Sequence, residues 1–528
     1  MSEHRSFYRK ITYLVLIAVL LFPISQLGAP STLEDQGGVL AQLRSKYELG
    51  QANLGDIDPS SETIRLATLG LRGIAVSLLW SKAIEYKKKG DWTSFRATLS
   101  QLSKLQPYFI SFWRYQAWNL SYNVSVELDD VRDRYHYVKR GIEFLKEGIK
   151  YNRNSPYLLA DLGWFIGNKI GRADEKELFR KMFKQDDDFH PSDRPPEQRD
   201  NWLVSKKWYQ SAVSAVDDLK KSLGQKNPTT FFVKPAMAQI NYSSAIETEG
   251  TFGEKARAAW ALAERMWHEY GNRSMKSSRG FMIQLSSYER LQKESEDLQE
   301  ELERLLPNAR EEILAQRRAS MSKDMLATLE LPDSEMSMDQ LELRSEARQK
   351  LTLGNEDFAS YVREKTPEKS IEASKLLNRI ADLKSRLYLI RNNRQVSNYK
   401  YWEDRCQFEQ TADALRAREL AYAAGRAFRE ADLIEAQHLY EESFQLWVKV
   451  LDAFPDMVED VSTGADIVDY ILQYRKVLEQ LDLTLNDEEI QDKFPLWDFL
   501  KVNDSERKFA EELKLHDQQT GDQQTGTE

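Results

Sequence analysis

The chain reads as an all-α protein: helical hairpins stacked in series as an α-solenoid, with a projecting antiparallel coiled-coil arm and an N-terminal transmembrane helix. Three observations predict this. Good helix formers fill nearly every stretch of the 528 residues, whereas Gly and Pro number only 23 and 15. Apolar residues recur at the three- and four-residue steps of a helix face, most clearly in Leu78–Pro107. There Leu79, Ala83 and Tyr86 precede Gly90-Asp91, and Phe95, Leu99 and Leu102 follow it. A hairpin of this size cannot cover its own apolar face, so it must stack on neighbours, and a stack presents a surface for holding something. Finally, two leucine-rich seams lie in strongly charged surroundings far apart in the chain, as the two halves of a coiled coil would.

Composition narrows the function. The formal charge of -10 and pI of about 5.5 come from acidic residues spread along the chain, with no basic stripe to follow a phosphate backbone. Nucleic acid is therefore not an expected partner. The single cysteine, Cys406, permits no internal disulfide and no cysteine-built zinc site, and in a helical context it reads as a small buried apolar residue.

Taken in order, residues 1–28 are a signal anchor. Arg5, Arg9 and Lys10 precede the uncharged run 11–27, ITYLVLIAVLLFPISQL, which is short for a spanning helix and long for a signal-peptide core. Cleavage after Ala29 would place Leu27 where a small residue is required, so the segment reads as uncleaved. Basic residues before the run and Glu34-Asp35 after it keep the N-terminus cytoplasmic and carry the bulk across, to the periplasm or another external compartment. Residues 29–60 form a tether, with one amphipathic piece around Val39–Leu49. A helix starts at Ser61-Glu62 and carries a small-residue face, Gly70, Gly73 and Ser77, into the first hairpin.

Residues 61–185 hold the repeats. After Pro107, the segment YFISFWRYQAWNLSYN places Phe109, Phe112, Trp113, Tyr115, Trp118 and Tyr122 within one helical length. Two readings stand. The rings pack between successive repeats, or Tyr115, Trp118 and Tyr122 line an aromatic groove that binds a peptide or glycan. The next helix, Tyr137–Tyr151, carries Ile142, Leu145, Gly148 and Ile149, and a third hairpin follows Pro156, with Leu162 and Gly163 in its first helix and Leu178, Met182 and Phe183 in its return. Leu79, Ala83, Tyr86, Phe95, Leu99, Leu102 and Pro107, with Leu162-Gly163 further on, resemble the spacing of the tetratricopeptide repeat (TPR). The resemblance departs at Phe95, where the family usually has alanine, and at an insertion from Asn123 to Tyr135. It implies TPR-like stacking and a protein-binding role. The anchor followed by an LLW-rich hairpin is also similar to membrane-anchored bacterial helical-repeat proteins of unassigned role.

Residues 186–200 form a loop in which Asp186, Asp187, Asp188 and His190 invite a metal reading. No calcium-loop glycine or second histidine completes such a site, so no metal is expected. Residues 201–285 supply further helical hairpins, including an Ala-rich pair joined by Gly250-Thr251-Phe252-Gly253. Residues 286–400 form the arm. Tyr288, Leu291, Ser295, Leu298, Leu302 and Leu305 make one seam, Leu376, Ile380, Leu383, Leu387 and Ile390 the other, and Pro307–Pro367 an elaborated tip. The arm reads either as a brace, through which two copies can self-associate, or as an element that reaches a partner. Residues 401–512 give a C-terminal hairpin and cap, and the repeated DQQTG in 513–528 reads as a disordered tail.

No phosphate loop, nucleophile elbow or zinc-protease pair is present, and the six histidines are scattered. Neither catalysis nor a cofactor is expected. The whole reads as a membrane-anchored scaffold that binds a protein partner; the alternative is a cell-envelope enzyme or glycan-binding protein whose pocket only folding reveals.

Overall fold

The computed structural model describes residues 72–525 apart from 278, 333–335, 459–460 and 492, with scattered positions (13, 15, 16, 19, 38, 39 and 42) before them. The anchor and tether expectations thus lie almost wholly outside the described residues. Among the described residues no helix is long and apolar enough to cross a membrane. The described chain is nearly all helix and divides into two compact units, residues 1–225 and 226–528.

In the first unit, α1 (Arg72–Lys88) and α2 (Trp92–Leu105) form the expected hairpin. Gly90 turns the chain at a φ of 68°, a region open to glycine, and the Asp91 carboxylate caps α2 by accepting the Ser94 N–H at 3.0 Å. Helix α3 (Ile110–Trp118) continues through a π-helical turn, Asn119–Val124, and packs on α4 (Val131–Tyr151). Much of the expected Asn123–Tyr135 insertion is therefore helical; α4 begins early because Asp130 caps it, accepting the Arg132 N–H at 2.7 Å. Trp113 is fully buried between α3 and α4, and its indole N–H donates to the Pro107 carbonyl at 2.7 Å.

The third hairpin differs from expectation. Helix α5 (Pro156–Trp164) also extends through a π-helical turn, Phe165–Lys169, but its return is α7 (Asn201–Asp217) rather than α6 (Lys176–Gln185). The reason is steric. Gly163, Gly167 and Gly171 present a flat stripe on which Tyr209, Ser205 and Trp202 of α7 lie so closely that a Cβ at Gly163 would come within 2.8 Å of the Tyr209 ring. The carbonyls loosened by the π turn are satisfied from the same helix: Asn201 Nδ2 donates to those of Ile166 and Gly167 at 3.2 and 3.1 Å. Helix α6 fills the core instead, burying Phe179 and Phe183, while Leu178 faces solvent. The loop 186–200 is well tied. Asp186 accepts from Lys139 and Tyr135, and buried Arg180 pairs with buried Asp200 at 2.8 Å.

The second unit opens with α8 (Pro228–Phe232) and the hairpin of α9 (Lys234–Thr248) and α10 (Glu254–Asn272), turned by Gly250 and Gly253 at positive φ. Two-residue strands β1 (Met275–Lys276) and β2 (Met282–Ile283) pair antiparallel, Met275 opposite Ile283. The seam helices α11 (Tyr288–Leu305) and α16 (Ser370–Ser397) pack as an antiparallel pair: Lys369 donates to the Leu305 carbonyl at one end, Arg379 meets Glu294 in the middle, and Arg394 meets Glu289 at the other. Leu291, Ser295, Leu302, Leu376, Ile380, Leu383 and Ile390 are all buried. Between them come α12 (Ala309–Ala319), α13 (Lys323–Thr328), α14 (Met338–Leu351) and α15 (Asn355–Lys365).

Helix α17 (Tyr399–Phe408) packs on α10, and α18 (Ala412–Arg429) forms a tight hairpin with α19 (Leu433–Ala453). Then follow α20 (Val461–Gln480), α21 (Glu488–Gln491), α22 (Trp497–Asn503) and α23 (Ala510–Thr525). The last runs through Thr525, into the stretch that the sequence reading gives as a tail from residue 513. Here His516 stacks on Trp497 with ring centres 4.1 Å apart, and just before it Glu512 meets Arg475 at 3.1 Å.

Candidate binding surface

The three aromatic residues singled out by the sequence lie together in the first unit. Tyr115 and Trp118 stand three apart on α3 and Tyr122 follows in its π turn. One side of this helix is core, with Phe112, Trp113, Ala117 and Leu120 buried; on the other, Tyr115 is 49% exposed and Trp118 40%. The aromatic rings of this segment therefore divide between buried and exposed sides of the helix.

These rings belong to a longer row. Trp80 of α1 lies 5.9 Å from Tyr115, Tyr115 lies 6.3 Å from Trp118, Trp118 lies 6.3 Å from Tyr122, and Tyr122 lies 5.4 Å from Trp164 of α5. The planes of Trp118 and Tyr122 differ by 15°, those of Tyr122 and Trp164 by 21°. The Lys169 ammonium sits 4.5 Å from the Tyr122 ring centre as a cation–π contact. Sequence reasoning missed Trp80, Trp164 and Lys169 as members. A signal was present: the first helix of each of the three hairpins carries a tryptophan, Trp80, Trp118 and Trp164. Packing of α1, α3 and α5 brings these positions into one chain of ring contacts.

Polar ties hold the helices in that register. Lys87 of α1 donates to Asn119 Oδ1 at 2.9 Å, and Asn123 donates to the same oxygen at 3.0 Å. Arg114 of α3 forms an ion pair with Asp161 of α5. Burial pushes the Tyr122 phenol up to about 12, so it remains a neutral donor and acceptor across the ordinary range. Burial also lowers Lys169, an effect that the neighbouring Glu175 opposes. Each partly open ring offers apolar area worth about 25 cal/mol for every Å² that a partner covers, together with a geometry that favours flat or CH-rich groups.

The loop residues once open to a metal reading are otherwise engaged. His190 is buried, its Nε2 within 2.7 Å of the Phe183 carbonyl and its Nδ1 within 3.0 Å of Arg194, and Asp187 pairs with Arg199. Among the described residues no three His, Cys, Asp or Glu side chains are grouped so as to hold a metal ion. Cys406 is fully buried, and burial raises its thiol well above the usual range. No protein-family model matches the chain, and no curated protein matches it.

Proposed function

We propose that this chain is a membrane-anchored helical-repeat scaffold that holds another protein on the outer face of a membrane, with no catalysis. In this reading the hairpins α1–α2, α3–α4 and α5–α7 form a short TPR-like array. The antiparallel pair α11–α16 is a coiled-coil arm, serving as a brace or a second contact, and the apolar run 11–27 is the anchor. The observation that carries the reading is the aromatic row shared by the first helices of three consecutive hairpins. Rings left 40–49% open at Trp118 and Tyr115, on a helix whose other side buries Phe112, Trp113 and Ala117, form a surface whose apolar area is still to be covered.

The test uses the membrane-embedded full chain with a photo-crosslinking residue in place of Tyr115, and the same chain carrying Tyr115→Ala with Trp118→Ala. A single protein crosslinked at Tyr115, with capture reduced at least tenfold in the double variant, supports the reading. Unchanged capture in a folded double variant refutes it, and adducts with glycan alone transfer the surface to the glycan-binding alternative.

A further inference from the structure

The second unit contains a charged cluster buried where several helices meet. Glu409, the residue that caps the C-terminus of α17, is fully buried and takes a two-pronged bond from Arg418 of α18, Nε at 2.6 Å and Nη2 at 2.5 Å. Arg405 of α17 reaches the same carboxylate at 3.3 Å and Asp466 of α20 at 3.0 Å. Arg418 completes its donors on the Tyr470 hydroxyl at 3.2 Å and Asp466 at 3.4 Å. Glu247, in the last turn of α9, enters this cluster 5% exposed. Its Oε1 accepts the Trp260 indole N–H of α10 at 2.9 Å, while its Oε2 approaches Arg418 only to 3.9 Å.

The charges do not balance. Three carboxylates, Glu247, Glu409 and Asp466, share two guanidinium groups, Arg405 and Arg418. Asp466 is 41% exposed and water screens its charge, whereas Glu409 is held by both arginines. Glu247 has the least compensation and little water, so the missing proton belongs there. Helix α8 also packs on α9 but carries no ionisable side chain that could neutralise Glu247. The groups facing Glu247 are therefore Trp260 from α10, Arg405 and Glu409 from α17 and Arg418 from α18, with Asp466 and Tyr470 of α20 completing the cluster behind the arginines. This is also where the α9–α10 hairpin rests on its neighbours. Gly250 in its turn lies so close to the Tyr422 ring of α18 that a Cβ would come within 2.7 Å, and Phe252 meets the same ring at 5.5 Å.

We propose that Glu247 is a protonation latch: its neutral carboxyl lets the α9–α10 hairpin seat on α17 and α18, and loss of that proton loosens the seat. Ionised, Glu247 would set a second buried carboxylate against Glu409, with Arg418 already committed. Burial first, and then Glu409, push the Glu247 carboxyl up to about 8, against the pull of Arg418 and the Trp260 hydrogen bond. The device therefore responds to a change from neutral to mildly alkaline surroundings.

Infrared difference spectroscopy and amide hydrogen exchange on the full chain test this between pH 6 and 9. The wild type should show a protonated carboxyl at pH 7 that is lost with a midpoint near 8, and Glu247→Gln should lack that band. Over the same interval the opening equilibrium of α9 amides, corrected for intrinsic exchange, should rise at least tenfold in the wild type and stay flat in Glu247→Gln. The Glu409→Gln variant removes the facing charge and frees Arg418, so its midpoint should fall by at least one pH unit. Absence of the protonated carboxyl from the wild type at pH 7, an equal rise in exchange in Glu247→Gln, or an unmoved midpoint in Glu409→Gln would each overturn the latch. The wild-type spectrum alone decides should Glu247→Gln fail to fold.

Discussion

Replacing Gly141 with alanine tests whether the aromatic row depends on the close approach of α3 and α4. In an open helix interior this change is favourable by about 1 kcal/mol, because alanine has less backbone freedom to lose. At Gly141 the added Cβ would collide with the Ser121 side chain and come within 2.7 Å of the Ala117 carbonyl oxygen. A hydroxyl can rotate away, but a backbone carbonyl inside a helix cannot. The two helices must therefore part, at a cost of about 1–3 kcal/mol for overpacking even after the propensity gain. Gly425 of α18 is the control, since a Cβ there meets nothing nearer than the Tyr440 hydroxyl at 3.6 Å. Thermal unfolding followed by circular dichroism should show Gly141→Ala lowering the transition of the first unit by several degrees, at about 2–4 °C per kcal/mol. Gly425→Ala should leave the transition of the second unit unchanged or raise it slightly. Equal stabilisation by both changes would refute the steric account, and with it the idea that backbone contact sets the register of Tyr115, Trp118 and Tyr122.

Other consequences are equally accessible. The folded-state pKa of Glu247 lies above its unfolded value of 4.5, so its contribution is full below about pH 4.5 and is lost as pH rises toward 8. Urea titrations should show wild-type stability declining through that window by up to about 1 kcal/mol per pH unit relative to Glu247→Gln, and parallel profiles would contradict the sign. Arg180→Ala leaves the buried Asp200 carboxylate with the Trp202 N–H at 2.8 Å and the Lys184 ammonium at 3.5 Å, and should cost about 3 kcal/mol in urea unfolding; a loss below 1 kcal/mol would mean that water reaches the site. Deleting residues 510–528 removes the His516 stack and the Glu512 contacts, so the midpoint of the second unit should drop by about 1–2 kcal/mol, whereas a structureless tail would leave it unmoved. Tyr115→Ala and Trp118→Ala, at open positions, should each shift stability by no more than about 0.5 kcal/mol in the same titration.

Local patterning made most helices readable. The first hairpin, the seam helices and the C-terminal cap are periodic over ten or more residues, and their apolar steps are buried where the three- and four-residue spacing puts them: Leu99 and Leu102, Leu383 and Ile390, Ile471 and Leu478. The partner of α5 was not readable in the same way. Lys176–Gln185 has a strong apolar face and comes next in the chain, but the choice lay with the glycine stripe Gly163, Gly167 and Gly171, which fits only a helix able to lay Trp202, Ser205 and Tyr209 across it. Likewise the composition of the tail gives no hint of the stacking of His516 on Trp497, which only the fold brings together.

What the residues determined by themselves is therefore the helical character of the chain, most helix positions, and the presence of a dense aromatic cluster around Tyr115 and Trp118. Helix periodicity is a property of neighbours in sequence, and it survives any arrangement of the elements. Tertiary packing alone decided that Trp80 and Trp164 join that cluster in one row, and that Glu247 meets Glu409, Arg405 and Arg418 in a space with too few positive charges. Trp80 is far from Trp164 along the chain and Glu247 far from Arg405, Glu409 and Arg418, and the chemistry of each group depends on distance and on exclusion of water, neither of which any local pattern encodes.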